Sequence, residues 1–112
     1  MGGRIQQLRR GQDWWTDLPL ATGRFPVAFL TRGDEYLSRE LITVAPVSRR
    51  IRRIPAEVAL GPEDGMPLVC AVNLDSMTTV PQARLRRQIT SLSGDKIRAV
   101  DAAIHFALGL ET

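Results

Sequence analysis

Six short runs of β-forming residues follow one another along this chain, and only its last stretch carries a helical period. The runs span 13–18, 26–31, 41–47, 56–60, 67–73 and 87–92, with Gly, Pro or charged residues between them. Branched and aromatic residues in short, closely spaced runs favour antiparallel strands joined by turns. A mainly β fold follows, a small antiparallel barrel. The connections at 19–23, rich in small and turn residues, and at 32–39, rich in charge, are expected at the surface, where such a fold keeps its site.

The final element is predicted as a helix. Ser93 is a suitable N-cap, Asp95 falls in the first turn, Ile97, Val100, Ile104 and Leu108 recur at helical spacing, and Gly109 supplies the stop. Their shared face is expected to pack on the sheet. His105 is the only histidine and adjoins Ile104, so it is expected at the surface or its boundary. A short helical turn over 82–86, after Pro81, would bring Arg84, Arg86 and Arg87 near one edge.

The most chemically distinctive segment is 41–58. An apolar β-type run ends at Ser48, Arg49, Arg50, Arg52 and Arg53 follow, and a second apolar-polar alternation begins. A hydroxyl beside guanidinium groups at the end of a strand suits an anionic tetrahedral ligand. A solvated charged turn would look the same in sequence.

Length and composition bound the rest. At 112 residues the chain is read as one domain, with 1–9 a partly ordered leader and 10–112 the barrel. Its 44% hydrophobic and 24% charged content is that of a folding protein rather than a disordered one. No apolar run approaches the ~20 residues that span a bilayer, and the first residues lack a signal-peptide core. No membrane association and a cytoplasmic location are expected. Of fifteen basic residues only Lys96 is a lysine, and the formal net charge is +3. Arginine predominance favours bidentate contacts with phosphate or carboxylate and mildly favours nucleic acid. Cys70, the only cysteine, lies in an apolar run and is read as a buried small hydrophobe. A single histidine excludes a two-histidine acid/base ribonuclease.

Five segments in order resemble the MazF/PemK family of toxin endoribonucleases. They are Arg10-Gly11-Gln12-Asp13-Trp14-Trp15-Thr16-Asp17-Leu18, Gly23-Arg24-Phe25-Pro26 with the hydrophobic strand after it, and Thr43-Val44-Ala45-Pro46-Val47-Ser48. The fourth and fifth are 72–81, opening Val72-Asn73-Leu74-Asp75, and the helix from Leu92-Ser93 to Gly109-Leu110. The resemblance covers roughly 9–110. It implies a partly open antiparallel β-barrel of the CcdB/PemK-like toxin type with a C-terminal α-helix, a homodimer, and cleavage of single-stranded RNA without metal or other cofactor. It also implies a cognate antitoxin partner. A positive RNA groove is best silenced by a disordered, acidic and apolar peptide, which would cover the surface near Arg24, Ser48 and the dimer seam.

RNA carries its own 2′-hydroxyl nucleophile, so the enzyme must position, stabilise charge and move protons. In the resembled family an arginine opening the second strand and a Thr or Ser ending the third line the scissile phosphate. Ser48 matches the second role directly. The arginine normally precedes the proline, where this chain has Phe25, with Arg24 one residue earlier. Arg24 is the catalytic candidate on the expectation that the loop before Pro26 bulges by one residue, since neighbouring strand residues otherwise face opposite ways.

Arg49, Arg50 and Arg52 are expected on the RNA backbone, and Phe25 and Trp15 against bases. Trp14 and Trp15 alternate across a strand, so one is expected in the core and the other exposed or at the dimer interface. Asn73 and Asp75 are expected to fix a turn. Two other readings carry the same fold: a non-enzymatic, protein-binding toxin of the gyrase-inhibitor type, and a nuclease weakened at position 25. A generic RNA-binding module is a third.

Overall fold

The computed structural model describes residues 8–17, 24–31 and 40–110. The expected connections at 19–23 and 32–39, and residues 1–7 of the expected leader, lie outside the described residues. Seven strands form one antiparallel sheet: β1 (Gln12–Asp17), β2 (Arg24–Phe29), β3 (Leu41–Ser48), β4 (Glu57–Leu60), β5 (Cys70–Asn73), β6 (Thr78–Pro81) and β7 (Leu85–Ser91), followed by α1 (Gly94–Leu108). The order is β4-β5-β3-β2-β1-β7, with β6 also on β3. Among the described residues β4 and β7 do not pair with each other, so the barrel stays partly open.

β3 organises the molecule. Its first half pairs with β6, from Leu41↔Pro81 to Val44↔Thr78, and its end pairs with β5 at Val47↔Val72 and Ser48↔Ala71. On its other side, Val44–Pro46 pairs with β2. Alternation along these strands then divides the core. Val27, Phe29, Ile42 and Val44 join Trp14, Val80, Leu85 and Leu8 on one side. Ala28, Ala45 and Val47 join Val58, Leu60, Met66, Cys70, Val72, Leu74, Leu92, Val100 and Ala103 on the other. Leu8, read from sequence as part of the leader, is fully buried in the first of these clusters.

Two strand assignments shift. β6 was not expected: it is four residues long and ends in proline, and it exists because it lies along the free side of β3. The expected strand at 67–73 shortens to Cys70–Asn73, since Leu68 and Val69 are 51% and 60% exposed and belong to the approach to the strand.

The helix follows its sequence signals. Ser93 accepts a hydrogen bond from the Lys96 amide, and Gly109, at φ 67°, closes the C-terminus with its N–H on His105 and Phe106 carbonyls. Val100 and Ala103 are buried against the sheet, with Ile97 and Ile104 beside them. Leu108 departs from the expected packing face: it is 57% exposed, with Phe106 and Leu110 also about half exposed.

Three devices hold α1 down. Arg10 donates through Nε to the Leu30 carbonyl at 3.0 Å and pairs with Asp101 at 2.7 Å, tying the strands to the helix. At Gly11, φ +95°, a Cβ would come within 2.5 Å of Ile97 Cδ1, so only glycine allows this approach. From the helix, Lys96 Nζ donates to the Ala59 carbonyl of β4 at 2.7 Å and lies 3.7 Å from Asp64. Among the described residues no helix is long and apolar enough to cross a membrane.

Candidate RNA-binding site

β3 delivers Ser48 to the surface as its last residue, and the chain turns at once. The Arg50 amide donates to Ser48 Oγ at 3.0 Å, a serine turn that leaves the hydroxyl proton free to donate outward. Arg49 and Arg50 are thereby thrown over the end of the sheet, both exposed.

Arg24, also exposed, reaches the same place from β2. The two strands β1 and β2 pair without a break from Asp17↔Arg24 through Trp15↔Pro26 to Asp13↔Ala28. The one-residue bulge expected before Pro26 is therefore absent from this pairing, and Arg24 does not need it. Regular alternation places Arg24 and Pro26 on the face of Trp15, whereas Phe25 turns its ring against the Trp14, Val27 and Phe29 cluster.

These residues meet around a cavity of ≈ 360 Å³. Arg24, Ser48, Arg49 and Arg50 supply its polar rim. Trp15, Phe25, Pro26, Met66, Pro67, Leu68 and Cys70 line the rest. Of the tryptophan pair, Trp14 is the fully buried one and donates through Nε1 to Gln12 Oε1 at 3.0 Å, while Trp15 faces the cavity. Six of the seven residues singled out in the sequence are brought together here.

The seventh, Arg52, stands one step aside. A second cavity of ≈ 290 Å³ lies between Ser48, Arg50, Arg52, Glu57 and Asn73, so it shares Ser48 and Arg50 with the first. Arg52 is held there by Glu57, donating through its amide at 2.8 Å and through Nε at 2.7 Å. Burial pushes the Glu57 carboxyl up, but hydrogen bonds from the Arg52 amide and side chain, the Arg52 charge and the Arg53 amide outweigh it and hold it below 4.5. Arg53 adopts φ 55°, unusual for a side-chain-bearing residue, so that its amide can join this ring. Glu57 is thus the anchor of the arginine loop. Asn73, as expected, fixes its own turn: Oδ1 accepts from the Asp75 amide and Nδ2 donates to Ser76 Oγ, both at 3.0 Å.

Near enough to Cys70 of the cavity wall to influence its thiol lies a residue that sequence reasoning passed over. Asp13 is fully buried, and among the described residues neither of its carboxylate oxygens has a hydrogen-bond partner. Burial, and secondarily the Asp64 charge, push its pKa up to about 7. Burial first, then Asp13 and Asp64, also raise the Cys70 thiol, which suits its reading as a small hydrophobe rather than a nucleophile.

A small curved sheet with one C-terminal helix presents an arginine and a hydroxyl over an apolar cavity, chemistry suited to a polymer with both charge and flat rings. The sequence matches the PemK-like, MazF-like toxins of type II toxin-antitoxin systems over residues 9–108. This chain belongs to that family. It is 35% identical over 100 residues to the probable endoribonuclease MazF5 of Mycobacterium tuberculosis, covering 88% of this chain and 91% of that one. Among solved structures it is similar to a mycobacterial endoribonuclease in complex with its cognate antitoxin, at TM-score 0.82 and 26% identity over 94% of this chain and 98% of that one. It is likewise similar to the Mycobacterium tuberculosis toxin MazF-mt6, at TM-score 0.81 and 28% identity over 90% and 99% of the two chains.

Proposed function

We propose that this toxin is a sequence-selective endoribonuclease that cuts single-stranded cellular RNA without a metal ion. The meeting of Arg24 and Ser48 at one cavity carries the reading. Arg24 and the Ser48 hydroxyl hold the oxygens of the scissile phosphate while the adjacent 2′-oxygen attacks phosphorus. The bond from phosphorus to the 5′-oxygen breaks, the 2′-hydroxyl proton is lost and the leaving oxygen gains one, giving 2′,3′-cyclic phosphate and 5′-hydroxyl ends. Ser48 is a phosphate holder, since no histidine stands by to activate it; His105 is exposed near the end of α1.

The apolar wall suits a base, and stacking on Trp15 is worth ~1–3 kcal/mol; Phe25, its ring turned to the Trp14 cluster, backs that wall rather than stacking. Arg49, Arg50 and Arg52 follow the backbone, their loop shaped by Glu57. Specificity belongs to the loops around 18–25 and 49–55. The exposed Phe106, Leu108 and Leu110 at the helix end suit a second copy of the chain, and a disordered acidic antitoxin segment suits the surface around Arg24 and Ser48.

The test is incubation of purified protein with a long single-stranded transcript in chelator, with mapping of the product ends. Discrete cuts bearing 5′-hydroxyls support the reading. Intact RNA together with growth arrest and trapped gyrase-DNA complexes would replace it with the protein-binding toxin.

A further inference from the structure

Asp17 stands between two arginines. It stands opposite Arg24 across the sheet and forms a loose ion pair with it, Oδ1 to Nε 3.7 Å, too long for a hydrogen bond. Its other carboxylate oxygen accepts from Arg86 Nε at 2.6 Å.

The approach of Arg86 is built into the backbone. Along β1 and β7, Trp15 stands opposite Arg87 but Thr16 stands opposite Leu85. Arg86 is the extra residue of a bulge, with no partner on β1. Bulges of this kind re-aim a side chain. Thr16 Oγ1, donating to the Arg84 carbonyl at 3.0 Å, holds the chain just before it.

A carboxylate facing an arginine meant for phosphate is a competitor for that arginine. We propose that Arg86 is a positioning residue that takes the close hydrogen bond of Asp17, so that Asp17 keeps only a loose ion pair with Arg24 and the Arg24 guanidinium stays available to the RNA phosphate. The two charges on Asp17's flanks outnumber its one, which leaves the cluster net positive toward an incoming anion. This rests on the reading of Arg24 as the phosphate-binding cation.

Five variants on one transcript, followed at one mapped cut, test it: Arg86→Gln, Arg86→Lys, Asp17→Asn, the Arg86→Gln/Asp17→Asn double, and Arg24→Ala. Arg86→Gln should lower kcat/KM roughly three- to fivefold, the scale of an exposed ion pair, mainly through KM and more at low salt. The double variant should return to within about twofold of wild type, and Arg86→Lys should stay close to it. A double variant as slow as Arg86→Gln would show that Arg86 acts only through the bulge and would overturn the proposal. Asp17→Asn leaves the bulge intact and should raise kcat/KM about twofold; a fall would also overturn it. Arg24→Ala separates the two readings. If it cleaves like wild type, the role of Arg24 fails; if it is slow while Arg86→Gln is unaffected, only the present proposal fails.

Discussion

The Ser48 hydroxyl accepts from the Arg50 amide at 3.0 Å, so the residue that ends β3 also shapes the turn that follows it. One lone pair is used in the turn and the hydroxyl proton remains free to donate. Removing it should cost both a turn contact and a phosphate donor. Ser48→Ala should lower kcat roughly 10²-fold, the loss typical of one preorganised donor, while Ser48→Thr keeps the hydroxyl and should stay within about tenfold of wild type. Single-turnover cleavage of one transcript measures both.

Phe25 occupies the position where the resembled family carries its arginine. Because β2 pairs regularly with β1, an arginine at 25 would point at the Trp14 cluster rather than the cavity. Phe25→Arg should therefore give no gain in cleavage and should lower the melting temperature, whereas Arg24→Ala should lose roughly 10²-fold or more. Parallel rates and melts decide it; faster cleavage by Phe25→Arg would refute the assignment.

Glu57 holds three groups of the arginine loop, so Glu57→Ala should free that loop. KM for RNA should rise severalfold with a smaller change in kcat, and amides of 50–54 should exchange faster with solvent. The pH sign follows from its lowered pKa. Stability from this carboxylate is complete above its ordinary 4.5 and is lost as pH falls through the lower folded value. Wild-type loop protection should fade only in acid, and the variant should show no such step.

Asp13 runs the other way. In the fold it keeps its proton up to about 7, whereas the unfolded chain releases it near 3.8. Folding takes up a proton between these values, so stability falls as pH rises through that window. At 1.36 kcal/mol per pH unit the full effect is on the order of 4 kcal/mol. Melts at about pH 5 and about pH 8 should show wild type losing stability that Asp13→Asn and Asp13→Val retain. Equal slopes in all three would remove Asp13 as the cause.

Most of the strand ladder and the helix with both its caps were legible because they rest on local signals: β-branched runs, Ser93 and Gly109, an apolar strand ending in a hydroxyl. Arg24 was set beside Ser48 only through the resemblance and a bulge that β2 does not have. What escaped rests on partners far along the chain. Thr78–Pro81 is a strand only because β3 has an open side there. Glu57 reads as one more surface acid until the loop is wound around it. The bulge at Arg86 has no local signature, and without it neither the setting of Asp17 nor the state of Arg24 can be seen. Trp14 and Trp15 look alike in sequence, and only the depth of β1 in the sheet separates them.

Lys96 reaches from the helix to the Ala59 carbonyl on β4, and the opposite border, β7, is broken by register shifts. An unguarded border strand is a template on which another molecule can crystallise its own backbone, the first step of fibre growth. Here one rim is plugged by an amine and the other is uneven, so neither offers a straight ladder. At these two borders the sheet therefore works against the strand-to-strand stacking of one copy upon the next.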